Sequence, residues 1–396
     1  MLSVSAPAIA EEIHLSDRDL GRLFFAFLFA YGLAQLFVGP LLERFRAVPA
    51  YATAVVAWSL MGAGSALATG FMGLFAARLL LGIFEAPNWP LALRVTARIF
   101  PPPQRSLAIG IFQSGSSIGA LVAPPIIIWL TQHWGWRTAF VACGGAGIVW
   151  AILWVGVVRG PGVKAMDHPT PPDLPPLPHP PERPDTFRTI LGSRAFWGLV
   201  IATSLMNPLQ YMYTSWLPRY LTSYAGVEFG RDLATRLMLA YLALDMGLWL
   251  GGGATTWLAR LVGVARARLL VAGSGTVGMG VIPLVASSGN IDTITTLICV
   301  SMFGLGCFIV NYLSFVTEVS ATRVALVAGL LGGIGSLLGA GFMLVVGSNV
   351  QSTRSFDFTF LIAGVMPVLA FAGLYLSASA NGRLRGDHRI AEGRAP

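Results

Sequence analysis

The sequence predicts an all-α integral membrane protein made of two helical bundles, and three observations lead to that class. Hydrophobic residues fill 55% of the 396 positions and charged residues only 11%, against about 25% charged in soluble domains. Apolar stretches long enough to cross ~30 Å of hydrocarbon recur along the whole chain. Between two groups of them lies GPGVKAMDHPTPPDLPPLPHPPERPDTFRTILGS, with ten prolines from Pro161 to Pro184, which can be neither a span nor a packed domain. It reads as a semi-rigid linker of polyproline character.

Eleven spans are expected, near residues 21–42, 49–69, 71–96, 105–131, 137–158, 195–221, 234–259, 266–287, 291–316, 323–346 and 357–379. The domains follow: an N-terminal bundle over 1–159, the linker over 160–194, a six-helix bundle over 195–380 and a tail over 381–396. The opening MLSVSAPAIA is too short to span and lacks the basic flank of a signal peptide, so it is expected to be a stub. Cys143, Cys299 and Cys307 fall inside apolar runs and read as small core hydrophobes.

Charge placement orients the chain. The formal net charge of +8 comes from 25 arginines and a single lysine. Eighteen of these lie in one set of connections: Arg44 and Arg46; Arg94, Arg98 and Arg105; Arg159, Lys164, Arg183, Arg188 and Arg194; Arg260, Arg266 and Arg268; Arg323; and Arg383, Arg385, Arg389 and Arg394. The alternate set holds six: Arg18, Arg22, Arg137, Arg231, Arg236 and Arg354. The positive-inside rule therefore puts the linker and the C-terminus in the cytoplasm, in an inner (plasma) membrane. Because the arginines are dispersed among short loops, a nucleic-acid reading of the charge fails.

The third span, FAARLLLGIFEAPNWP, carries the chemistry. Arg78 and Glu85 are two helical turns apart, on one face and about 10 Å apart along the axis. An ionisable group at membrane depth costs at least ~2.5 kcal/mol, so such a pair marks a functional site unless it is a structural ion pair tying two helices together. Pro87 and Pro90 interrupt the helix just beyond, freeing carbonyls that are tolerable only beside protein or a water-filled cavity. A guanidinium grips a carboxylate through a planar fork, which makes Arg78 the expected anion clamp. Dehydration makes a carboxyl group hold its proton, while a neighbouring guanidinium opposes this, so anion binding at Arg78 would ease proton uptake at Glu85.

Other polar residues inside spans are candidates. Asn207, Gln210 and Tyr211, beside Pro208, and Asn311 with Tyr312, are placed on the opposite cavity wall. Asp245, in LALDMGLWLGGG, is either a proton or cation site or a latch bonded across the half-to-half interface. Glu318 and Arg323 are expected to form an exposed ion pair at a cytoplasmic helix end.

The motifs resemble those of the major facilitator superfamily, and within it the anion:cation symporter family of organic-anion carriers, which includes hexuronate and galactonate permeases. The likeness covers nearly the whole chain. GPLLERFRA is similar to the superfamily's loop of glycine, acidic residue and arginine, which implies a conformational role for Gly39, Glu43 and Arg44. RLLLGIFEAPNWP resembles the family's Arg-x-x-x-Gly-x-x-Glu-Ala-Pro helix; FPPPQRSLAIGIFQSGSSIGALVAPPI, WGWRTAF, WLPRYL, ALDMGLWLGGGATTWLAR and RSFDFTFLIAG follow. The resemblance implies that Tyr31, Arg78, Glu85 and the helix around Gln113, Ser114 and Ser116 face a central cavity, although Tyr31 is equally readable as a packing residue and the hydroxyls as helix bridges. It also implies twelve spans, so a helix ahead of Met1, bearing an Asp-Arg pair, is expected to be missing, with LSVSAPAI resembling the residues just after that pair.

The expected activity is proton-coupled uptake of a sugar acid by a monomer whose partners are a small carboxylate, a proton and the lipid bilayer. An enzyme has no support: there is no zinc-ligand cluster and no Gly-x-x-x-x-Gly-Lys loop, and no metal or cofactor is expected. A membrane sensor and a drug/proton antiporter remain as alternatives. The sensor lacks a signalling domain in this sequence, and the antiporter is disfavoured by an arginine in the cavity.

Overall fold

The computed structural model describes residues 1–42, 45–99, 102–159, 187–319 and 324–380. Its helices are α1 (Leu2–Ile13), α2 (Asp17–Leu42), α3 (Ala47–Gly64), α4 (Phe71–Glu85), α5 (Asn88–Ile99), α6 (Pro102–Val158), α7 (Phe187–Leu191), α8 (Arg194–Ser223), α9 (Arg231–Val262), α10 (Val264–Met279), α11 (Ile291–Val319), α12 (Val324–Thr353) and α13 (Asp357–Ala380). Single 3-10 turns follow α3 and α10, and there is no strand among the described residues. The opening residues are not a bare stub: α1 buries Leu2, Val4 and Ile9 and lies against α8.

Over the described residues all eleven apolar stretches are mainly helical. Among the described residues eight helices meet the length and apolarity needed to cross a membrane, and the difference has local causes. The 71–96 stretch breaks at Ala86–Pro87 into α4 and α5, of 15 and 12 residues. The 105–131 and 137–158 stretches are two arms of α6, broken at Gly135, whose φ of 80° is open to glycine and strained for other residues. The 30-residue α8 is long enough but diluted by polar side chains.

Local chemistry sets these boundaries. α2 starts where Ser16 and Asp19 form a reciprocal cap: the Asp19 N–H donates to Ser16 Oγ at 3.2 Å while Ser16 N–H and Oγ donate to Asp19 Oδ2. α11 starts where Asn290 Oδ1 accepts from the Asp292 and Thr293 amides. At the α6 break, Trp136 is buried and donates from Nε1 to Glu12 Oε2 at 2.7 Å, and Arg137 bonds Glu12 and the Ala68 carbonyl. WGWRTAF is therefore the joint that ties α6 to the end of α1.

Before the 160–186 segment, α2 packs on α4 and α3 on α6; after it, α9 packs on α11, α8 on α13 and α10 on α11. The two sets of helices meet through α2 with α12, α1 with α8, and α6 with α9. Phe37, Leu67, Met72, Trp249, Trp257 and Val277 point outward and exposed, which suits a lipid-facing surface. Within the second set the helices touch backbone to backbone: a Cβ on Gly304 would run into the Gly275 carbonyl oxygen, and one on Gly275 into that of Gly304. Such close approach of small residues is how helices associate where lipid removes the hydrophobic drive.

Gly304→Ala should therefore lower the melting temperature of the detergent-purified protein, corresponding to about 1–3 kcal/mol of overpacking. Gly253→Ala, at a site with open space around it, should leave the melting curve unchanged.

Candidate functional site

The site is built on α4. Leu74, Arg78, Leu81 and Gly82 form its buried stripe, and Glu85 closes the helix on the same side, half-buried. Gly82 sets the approach to α2: a Cβ there would lie 2.5 Å from the Phe27 carbonyl oxygen and 2.9 Å from the Tyr31 amide nitrogen. That contact brings Tyr31 beside Glu85, so the third-span motif and the second helix share one layer.

Arg78 is 7% exposed. Its Nε and Nη2 are enclosed without a hydrogen-bond partner among the described residues, and its guanidinium carbon lies 5.6 Å from the centre of the Phe140 ring. Arg78 and Glu85 are within electrostatic reach of each other but form no direct ion pair. A structural ion pair is thus not what the geometry shows. Native interiors seldom leave buried donors unpaired, and a charged one least of all.

Around this pair, both sets of helices contribute polar groups. Tyr31 accepts a hydrogen bond from Gln35 Nε2 at 3.1 Å, stacks on Phe27 at 5.8 Å, and keeps its own hydroxyl proton to donate. Gln35 Oε1 is enclosed and unpaired. From the second set, Tyr211 shares a 3.0 Å hydrogen bond with Ser336 of α12. It lies within electrostatic reach of Tyr31 and Glu85. Asn207, one turn before Tyr211, sits over Gly335, and Tyr211 over Gly339; a Cβ at either glycine would collide with the side chain facing it. The side chains of Asn207 and Gln210 have no hydrogen-bond partner among the described residues.

Two candidates differ from expectation. Asn311 is 1% exposed, accepts from Thr255 Oγ1 at 2.9 Å and donates to the Cys307 carbonyl at 2.8 Å. Its oxygen joins α9 to α11 and its nitrogen bonds back within α11, so both ends of the amide are engaged. Asp245 is buried but has no ion pair or hydrogen bond among the described residues, so the latch expected of it has no partner. Gly39 lies in the last turns of α2 and Gln113, Ser114 and Ser116 on the first arm of α6, but their side chains, like that of Glu318, fall outside what is described. Glu43, Arg44 and Arg323 lie outside the described residues.

Sequence reasoning passed over Gln35 and Ser336. Gln35 carries a usable signal, since it stands one turn from Tyr31 on an apolar helix. Ser336 sits in a glycine-rich run where a hydroxyl reads as packing. One pattern is also misleading: Gly115-Ser-Ser-Ile-Gly119 has the Gly-x-Ser-x-Gly spacing of a hydrolase elbow. That motif needs a strand-to-helix turn, and here it is continuous helix within α6.

With the geometry in place, comparison with known proteins adds the lineage. The chain is 27% identical over 387 residues to the hexuronate transporter of Escherichia coli (strain K12), covering 93% of this chain and 87% of that protein. It is 28% identical over 311 residues to the galacturonate transporter of Dickeya chrysanthemi, covering 72% and 87%. It is 26% identical over 386 residues to the hexuronate transporter of Bacillus subtilis (strain 168), covering 93% and 88%. Among solved structures, an inward-facing bacterial homologue of the human lysosomal transporter Spinster superposes with a TM-score of 0.68 at 19% identity, over 100% of this chain and 94% of that one, a likeness of fold. The Major Facilitator Superfamily profile matches residues 1–343, and the chain belongs to that superfamily of multi-pass membrane transporters.

Proposed function

We propose that this protein carries a sugar acid of the hexuronate, aldonate or glucarate kind inward together with protons, by rocking its two bundles, 1–159 and 195–380, about a central site. The observation that carries the reading is the enclosed, unpartnered guanidinium of Arg78 in a polar layer lined from both sets of helices. A carboxylate fits its fork in two parallel hydrogen bonds, and Tyr31, Gln35, Asn207, Gln210 and Tyr211 offer donors and acceptors for sugar hydroxyls. The names of the relatives, transporters of hexuronate and galacturonate, agree in substrate class.

Glu85 is the proton carrier in this reading. Its carboxylate feels the charge of Arg78, and a bound anion neutralises that charge, so substrate and proton each favour the other's binding. Asp245, buried and unpaired, is a second carboxylate available for coupling. The arginine distribution supports a cytoplasmic linker and C-terminus in an inner membrane, and the described polar groups of the site all come from one chain, which supports a working monomer.

Labelled glucuronate, galacturonate and galactonate should accumulate in vesicles under an imposed pH gradient, and neutral glucose should not. Transport that ignores the gradient, or prefers the neutral sugar, overturns the proposal. Arg78→Lys should weaken binding of the accepted acid at least about tenfold although the charge is kept, because the two-point geometry is gone; binding to detergent-purified protein measures this. Glu85→Gln should abolish gradient-driven accumulation while exchange of labelled for unlabelled substrate continues. Accumulation that survives in Glu85→Gln moves the proton to Asp245, tested next as Asp245→Asn.

A further inference from the structure

The described ion pairs separate into two kinds. Arg137 with Glu12, and Arg236 with Asp292, join helices of the same set, while Arg236 with Asp232 stays within α9. Arg22 with Asp19 stays within one helix turn. Asp17 with Arg219 crosses between the sets, and it is the most enclosed of them, with side chains 2% and 19% exposed. Asp17, the first residue of α2, accepts from Arg219 Nε at 2.9 Å and from the Tyr224 hydroxyl at 2.7 Å, while its own N–H donates to Gln351 Oε1 of α12 at 3.2 Å. Both carboxylate oxygens are held from the second set.

The surroundings close the same end of the bundle, the one that holds the α6 break and the turn before α9. α2 and α12 touch there by backbone: a Cβ on Gly21 would lie 2.7 Å from the Met343 carbonyl oxygen, and one on Gly347 2.8 Å from that of Asp17. One layer inward, Phe24 meets Trp216 edge to face at 5.4 Å, and Phe356 gathers Trp216, Tyr220 and Tyr224. Gln132 Nε2, at the α6 break, donates to the Phe229 carbonyl at 2.6 Å in the turn before α9. Asp19, by contrast, is used up by Ser16 and Arg22.

Arg219 also shares a helix with the site. Asn207 and Tyr211 stand 12 and 8 residues before it on α8, which is about 18 and 12 Å along the axis. Pro208 and Pro218 lie inside this helix, and each removes a backbone hydrogen bond, so the segment bearing Arg219 and Tyr224 follows a weakened turn. One helix, α8, thus runs from the site to the residue that holds the carboxylate of Asp17.

We propose that Asp17, gripped by Arg219 and Tyr224, is the latch of the gate that shuts the substrate path at this end, and that α8 links the latch to the central site. The proposal rests on the alternating-access reading above. The latch must part each time that end opens; a pair tying helices within one set has no such requirement.

The test uses the full chain with Cys143, Cys299 and Cys307 replaced by alanine and a single reporter, Leu28→Cys, which is buried one turn below Phe24 on α2. A membrane-impermeant thiosulfonate reagent is added from the outer side of right-side-out vesicles. Asp17→Asn and Arg219→Gln should each speed labelling by about tenfold as the equilibrium shifts toward the open end. The charge-swapped pair Asp17→Arg with Arg219→Asp should slow it again, and Arg137→Gln, which breaks a pair within one set, should leave it unchanged. Unchanged labelling in both single variants, or an equal rise in Arg137→Gln, overturns the latch. If Asp17→Asn does not reach the membrane, Arg219→Gln decides alone. Labelling requires no substrate, so its failure leaves the uptake reading standing, and failed uptake leaves the labelling result readable.

Discussion

A guanidinium enclosed in a medium that cannot solvate it, with two nitrogens unpaired, is the constraint to which the rest of the site answers. Leaving such donors empty is expensive, and a membrane interior makes it more so than a soluble core. The chain holds Arg78 there by backbone means. Gly82 presses α4 against α2, and the break at Ala86–Pro87 ends the helix just past Glu85. Phe140 supplies a ring near the cation without supplying a counter-charge. The negative charge that Arg78 lacks is kept two turns away, near enough to be felt and not so near as to fill the fork.

The site also lies on the seam between the two sets of helices. α2 carries Tyr31 and Gln35, and the same helix meets α12 at Gly32, where a Cβ would fall 3.0 Å from the Gly333 carbonyl oxygen and the Ser336 Cβ. α8 carries Asn207 and Tyr211 and runs on to Arg219. A seam made of glycines and short side chains has little interdigitation, so its parting costs contact area rather than unthreaded side chains. In the proposed latch, the polar bonds of Asp17 set when the seam parts.

Much of the site was legible because the membrane makes polar residues conspicuous. Arg78, Glu85, Asn207 and Tyr211 each stand out in an apolar run, and Glu85 lies within electrostatic reach of both Arg78 and Tyr211. The same rule singled out Asn311 without showing that its amide is already bonded, since an amide that joins two helices looks identical in sequence to one with no partner. Its partner, Thr255, lies 56 residues away, a separation no local pattern reports. Arg219 was in plain view inside WLPRYL, but its meaning depends on Asp17, 202 residues earlier, at a position that reads only as a helix start. Gln35 was hidden by being neutral, and its unpaired oxygen becomes visible only once its neighbours are placed.

By itself the sequence determined the class of molecule, the eleven helical stretches, the break at Pro87, and the residues that carry charge at membrane depth. These are local properties: hydrophobic length, the missing amide of proline, and the cost of an ion in hydrocarbon are all properties of a residue and its near neighbours in the chain. Only the tertiary structure decided that, among the described residues, Arg78 is unpaired, Asn311 is bonded at both ends, Asp245 has no latch partner, and Asp17 reaches across to Arg219. Whether a polar group is occupied or vacant depends on which helix faces it. That is set by backbone contacts at Gly21, Gly82 and Gly347, where the absence of a side chain leaves no trace of the partner in the sequence.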